Sequence, residues 1–433
     1  MELKPGYKLT DAGVIPEDWD VKPLKALLAR SRLGGNYANQ ETETSYPLMK
    51  MGNLDRGFFD VSKVEYVKAD TVPDEVDRLR YGDLLFNTRN TLDLVGKVAI
   101  WADELPVACY NSNLLRLEFD PELVPSPWYA NAALNSHASV VRLRGLATGT
   151  TSVAAIYGRD LWKFQFVVPP PAEQRAIAGA LSDVDALIGA LDQLLAKKRD
   201  LKQAAMQQLL TGHQRLPGFA PANPRFQQTD VGLIPEDWQL KRLGDVASVR
   251  AGGTPSRTVA AYWNGGVPWI TTSQVDFNVI TQAEQFISED GLKNSAAKLL
   301  PPGTLLMALY GQGKTRGKVA TLGVPAATNQ ACAAISLSAD VSHDFVFRYL
   351  VSQYDFIRNL SNTGNQENLN GVIVKSIPLP LPPTVAEQTA IGEVLSDMDA
   401  ELAALAQKRD KTRLLKQGMM QELLTGRTRL VES

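Results

Sequence analysis

The chain has 433 residues, 44% of them hydrophobic and 21% charged, a length for about three domains' worth of structure and a composition too apolar for a disordered scaffold. A formal net charge of -2 excludes a uniformly cationic surface, so any nucleic-acid site has to be local. The cysteines Cys109 and Cys332 and the histidines His137, His213 and His343 lie too far apart for zinc-ligand spacing, and no metal site is expected.

The N-terminal segment MELKPGYKLTDAG lacks the apolar core of a signal peptide, and no run approaches eighteen apolar residues, which predicts a cytoplasmic chain without membrane spans. Asp11 to Trp19 reads DAGVIPEDW. Short strand-like runs follow, DLLF at Asp83–Phe86 and KVAIW at Lys97–Trp101, broken by Gly, Asn and Pro as in an α+β domain. Between them lies the polar loop NTRNTLDLVGK, with Asn87, Thr88, Arg89, Asn90 and Lys97. The stretch from Leu123 to Gly158 has no acidic residue; it carries Arg142, Arg144 and the run TGTTS, which offers Thr148, Thr150 and Thr151.

After the proline cluster Pro169–Pro171 the pattern becomes helical. Ile177, Leu181, Val184, Ile188, Leu191 and Leu195 alternate spacings of four and three, the seam of a coiled coil. A helix from Ala172 to Leu210 would be a rod of about 58 Å, ended by Gly212. The stretch HQRLPGFAPANPRFQQ that follows has neither period and is predicted to be a linker.

Then the plan repeats. Asp230 to Trp238 reads DVGLIPEDW; strand-like runs TLLMALY and KVATL flank a loop with Gln312, Lys314, Thr315, Arg316 and Lys318; TGNQENLN brings Asn365, Gln366 and Asn368. AEQTAIGEVLSDMDAE from Ala386 repeats AEQRAIAGALSDVDAL from Ala172, with Ile391, Leu395, Met398, Leu402 and Leu405 in the matching seam, and KQGMMQELLTG at Lys416 repeats KQAAMQQLLTG at Lys202. The borders repeat while the interiors differ. A single duplication of roughly 215 residues points to two related domains rather than a solenoid, and two seams in one register are expected to pack on each other.

Enzyme signatures are missing. GQGKT at Gly311–Thr315 has Ala308 where a phosphate-binding loop needs its first glycine. No methyltransferase [NDS]-P-P-[YFW] loop occurs, and Pro73-Asp74 is not followed, up to residue 168, by the [DE]-x-K of a metal-dependent nuclease. Hydrolytic triads lack candidates as well. What remains is local positive charge: from Gly291 to Ala339 there is no Asp or Glu beside Lys293, Lys298, Lys314, Arg316 and Lys318. Arg, Gln and Asn in such loops reach phosphates and base edges, so the polar loops of both halves are candidate DNA readers. Arg89 and Arg316 are expected to serve one half each.

These repeated borders, IPEDW at Ile15 and Ile234, the proline-then-AEQ starts, LSDxD at Leu181 and Leu395, and KQxxMQxLLTG at Lys202 and Lys416, resemble the specificity subunits (HsdS) of type I restriction-modification systems over nearly the whole chain. The resemblance implies two α/β target-recognition domains related by a pseudo-two-fold axis and separated by two long antiparallel coiled-coil helices. The implied boundaries are domain 1 at 1–168, spacer helix 1 at 169–212, a linker at 213–229, domain 2 at 230–381 and spacer helix 2 at 382–426. It further implies a non-catalytic subunit that reads a bipartite double-stranded DNA target and scaffolds two methyltransferase and two nuclease-translocase subunits. S-adenosylmethionine, ATP and Mg would then bind those partners and not this chain. A fused nuclease-methylase system is an alternative within the group. A duplicated helical-hairpin adaptor that binds only proteins is the alternative outside it.

Overall fold

The computed structural model describes residues 5–311, 313–360 and 368–431. The chain divides into two compact units: unit 1 joins Met1–Gln193 to Gln407–Ser433, and unit 2 is Leu194–Ala406. The division falls inside both long helices, not at the boundaries expected at 168, 212 or 381. The first helix runs Pro171–Leu209 and the second Val385–Leu423, each a few residues shorter at both ends than the predicted 169–212 and 382–426. The predicted linker is also partly structured, because Phe226–Thr229 is a strand paired antiparallel with Gly232–Pro235.

Each unit opens with the same hairpin, built by its repeated Thr-Asp-x-Gly turn. Thr10 Oγ1 accepts from the Ala12 amide and donates to the Gly13 carbonyl, and Thr229 does the same with Val231 and Gly232. Gly13 and Gly232 hold φ of 111° and 101°, a conformation that glycine adopts without a Cβ penalty. The hairpin delivers Ile15 and Trp19, or Ile234 and Trp238, into the core, all at most 2% exposed. Burying each of these side chains stabilises its unit by about 2 kcal/mol.

Behind the borders both units carry the same antiparallel sheet. In unit 1 its order is Val98–Ile100, Leu84–Asn87, Leu114–Phe119, Leu28–Leu33; in unit 2 it is Val319–Leu322, Leu305–Ala308, Cys332–Leu337, Ala247–Ala251, with Val279–Ile280 added in parallel at the Val319–Leu322 edge. The interiors that look unrelated as sequences are thus one frame. Strand formation asks for apolar side chains that fit a buried pleat, not for particular ones.

The AEQ motif ties each sheet domain to a helix start. Gln174 donates to the carbonyls of Pro169 and Leu123, while Gln388 donates to Pro382 and accepts from the Ser342 amide. Within unit 1 the helical segments run antiparallel, since Lys416 pairs with Asp185 at 2.6 Å and Arg413 with Asp192 at 2.9 Å. In unit 2 Lys198 meets Glu401 at 2.7 Å and Lys202 meets Asp399, again in descending against ascending order. The first positions of the predicted seam also reach into the domain cores. Ile177 and Leu181 pack into the unit 1 core with Trp19 and Leu423, and Ile391 and Leu395 into the unit 2 core with Trp238 and Leu209. These first positions therefore serve domain attachment as well as the helix pair. Val184, Ile188, Met398, Leu402 and Leu405 are half-buried along the helices, and Leu191 and Leu195 are buried.

Candidate nucleic-acid interface

In unit 1 the two polar loops predicted from the sequence meet. Thr148–Gly149 pairs with Ala154–Ala155, which pairs in turn with Arg89–Asn90, giving a small three-stranded sheet. The Leu92 amide donates to the Thr151 carbonyl at 3.1 Å, which holds the second loop against the first. Exposed on this edge are Arg89, Arg144, Thr148, Thr150, Thr151 and Ser152. Arg144 is tethered through Nη2 to the Asp93 carbonyl at 2.8 Å, and Thr150 Oγ1 lies 3.2 Å from Ser152 Oγ.

The other candidates of this half face inward or are paired. Asn87 is fully buried and its Oδ1 accepts from the Arg89 amide at 3.2 Å, so it shapes the loop and offers nothing to a ligand. Thr88 donates to the Asn113 carbonyl and Asn90 Oδ1 accepts from the Thr91 amide. Lys97 is bound to Asp55 at 3.1 Å; burial would raise the Asp55 pKa, but the Lys97 ammonium carries it below the usual carboxylate range. Arg142 donates to the Gln165 carbonyl at 2.9 Å and stacks over Phe164 at 4.5 Å, with burial pulling its pKa down. It is a packing residue.

Unit 2 rebuilds the loop on matched hydrogen bonds. The Asn87 amide donates to Lys97 and the Gly96 amide to Asn87; correspondingly Ala308 donates to Lys318 and Gly317 to Ala308, all at 2.8–2.9 Å. Thr88 donates to Asn113 and accepts from Ile156, while Leu309 donates to Ala331 and accepts from Leu369. Even the ion pair recurs, as Lys318 with Asp276 at 2.5 Å.

In this register Arg89 and Arg316, each expected to serve one half, do not occupy equivalent positions. Arg316 precedes Gly317 as Val95 precedes Gly96, and both are interior, 5% and 1% exposed. The residue before the glycine is thus interior in both units, a valine in one and an arginine in the other. Lys314 is exposed and its carbonyl accepts from the Tyr354 hydroxyl at 2.5 Å; Thr315 and Asn368 are half-buried. Lys318 also lies over the Phe277 ring at 5.7 Å. Gln312, Asn365 and Gln366 lie outside the described residues.

Sequence reasoning missed two arginines, Arg215 and Arg429. Arg429 binds Glu173 and Asp18 and lies 5.7 Å from the Trp19 ring centroid; Arg215 binds Glu387 and Asp237 and lies 5.6 Å from that of Trp238. Their signal was present, since LLTGHQRL and LLTGRTRL extend the repeat past the glycine. Among the described residues no group of three or more His, Cys, Asp and Glu side chains is placed to hold a metal ion, and no helix is long and apolar enough to cross a membrane.

Comparison with known proteins matches the family described as "Type I restriction modification DNA specificity domain" to residues 235–412. A Methanocaldococcus jannaschii chain named for the MjaX type I restriction enzyme, as its specificity subunit, is 25% identical over 98% of this chain and 97% of its own length. The MjaIX specificity subunit of that organism is 31% identical over 40% of each chain. Over nearly its whole length the chain is similar to type I restriction-modification specificity subunits. A type I specificity subunit is not the catalyst of its system. The fold agrees: the crystal structure of a type I S subunit from M. genitalium superimposes with a TM-score of 0.56 at 16% identity, covering 97% of this chain and 99% of that one.

Proposed function

We propose that this specificity subunit reads a bipartite double-stranded DNA target, one half-site with the polar loops of each unit, in the cytoplasm. The observation that carries this reading is the matched loop frame: the same hydrogen bonds at Asn87–Lys97 and Ala308–Lys318 hold different side chains, which is what two similar readers of two different short sequences require. Base edges in the major groove carry the discriminating pattern, so changing exposed side chains on a fixed frame changes the sequence read.

The partners would be two methyltransferase subunits and two nuclease-translocase subunits, with S-adenosylmethionine, ATP and Mg bound to them. Each unit presents exposed leucines on its helical segments, Leu187, Leu414 and Leu415 in unit 1 and Leu194 and Leu201 in unit 2. Apolar helix surface of this kind is what a partner subunit covers. The test is methylation mapping: the complex assembled with methyltransferase subunits should modify a two-part sequence, and exchanging residues 84–158 for those of a relative should change one part only. A complex that binds random DNA no better than an unrelated protein would instead favour the protein-binding adaptor.

A further inference from the structure

We infer that Tyr310 is the base-contacting residue of unit 2, standing where Arg89 stands in unit 1. The inference rests on the DNA-reading function proposed above and assigns a residue to it that the sequence did not suggest.

The position follows from the hydrogen-bond frame. Asn87 and Ala308 each receive the amide of a glycine nine residues later, Gly96 or Gly317, and the next residue, Thr88 or Leu309, bonds on both sides to neighbouring segments. Arg89 and Tyr310 are the residues immediately after these fixed points. Arg89 is exposed and Tyr310 is 42% exposed, whereas Arg316 and its counterpart Val95 are buried.

The loop also holds Tyr310 in place. Leu309 before it is 4% exposed and anchored in the unit 2 core. Gly311 after it has φ of 136°, and a Cβ there would meet the Thr315 side chain at 2.9 Å. These neighbours fix the backbone at Tyr310, and a tyrosine side chain has only two χ angles to lose on binding.

The chemistry differs from that of Arg89 in a way that can be measured. A guanidinium suits the O6 and N7 acceptors of guanine or a phosphate. A phenol offers an apolar ring, which fits a thymine methyl group or a base face, with one hydroxyl that both donates and accepts. It carries no charge and releases no counterion, so its contribution is independent of salt.

The experiment compares wild type, Tyr310→Ala and Tyr310→Phe in the complex with methyltransferase subunits, on DNA libraries at several salt concentrations. Tyr310→Ala should relax one position in one half-site by about 5- to 150-fold, leave the other half-site intact and leave the log-log salt slope unchanged. Tyr310→Phe, which keeps the ring and its packing, should relax it less and keep the wild-type melting midpoint, and Tyr310→Ala should keep a cooperative melting transition. Unchanged half-sites in both variants, or equal weakening on every sequence, would overturn the inference while leaving the DNA reading intact. A wild-type complex with no sequence preference would overturn both.

Discussion

The Arg429 guanidinium donates to the Glu173 carboxylate, 2.6 Å from Oε1, across 256 residues of sequence. Glu173 is fully buried and also accepts from the Trp19 indole at 3.0 Å, so the C-terminal segment completes the core of unit 1. Arg215 makes the same ion pair with Glu387 in unit 2, Nη2 lying 2.7 Å from Oε2. Each helix is therefore followed by an arginine that locks the border of a sheet domain.

Arg429→Ala should destabilise unit 1 by about 3–5 kcal/mol, the loss expected when one partner of a buried ion pair is removed and the other stays unpaired. Differential scanning calorimetry would show the unit 1 transition lowered and the unit 2 transition unmoved. Arg215→Ala should give the converse pattern. A uniform small shift in both would show that the clamps do not hold the separate units.

Acidification should weaken unit 2 through Asp399. Burial would raise its pKa, but hydrogen bonds from Arg348 and Lys202 carry it below the ordinary value. A carboxylate whose folded pKa is depressed contributes stability above its unfolded pKa and loses it as pH falls through the folded one. The Asp399→Asn variant should thus be less stable at neutral pH and converge on wild type below about pH 4. Melting midpoints measured across that range check the sign.

Gly212→Ala and Gly426→Ala should each cost about 1–3 kcal/mol. Both glycines hold positive φ at a helix end, 72° and 66°, and a Cβ would run into the ring of Pro235 or Pro16. The helix cannot stop and turn toward the IPEDW border with a side chain at that point. Urea unfolding of the two variants would measure it.

Asn87 and Arg89 are two residues apart and should behave differently. Arg89→Ala should relax one base position of the unit 1 half-site by about 1–3 kcal/mol if it pairs with guanine, or lower the salt slope by about one unit if it meets a phosphate. Asn87→Ala removes a buried hydrogen bond to the Arg89 amide and should lower thermal stability by about 1–2 kcal/mol. Methylation mapping beside a melting curve separates the two.

Much of the plan was legible because repetition marks what must be kept. IPEDW, AEQ, LSDxD and LLTG recur since each performs one packing task twice: Trp19 and Trp238 fill cores, Glu173 and Glu387 hold arginines, and Gly212 and Gly426 stop helices. The apolar period announced both long helices, and composition excluded a global polycation. Arg215 and Arg429 lie three residues past the repeated glycine, where the two copies share little beyond the arginine and the leucine after it.

What the sequence could not decide was which loop residues face outward and which residues of the two halves correspond. Buried strand positions accept many apolar side chains, so Leu84–Asn87 and Leu305–Ala308 share a frame without sharing a pattern that can be aligned by eye. Charge then misleads: Arg316 looks like the partner of Arg89, yet the backbone register places it over Val95 and puts Tyr310 at the exposed position. Sequence determined the borders, where particular side chains are needed. Tertiary structure decided the interior, because there the hydrogen-bonded backbone fixes the position and leaves the side chain free to vary.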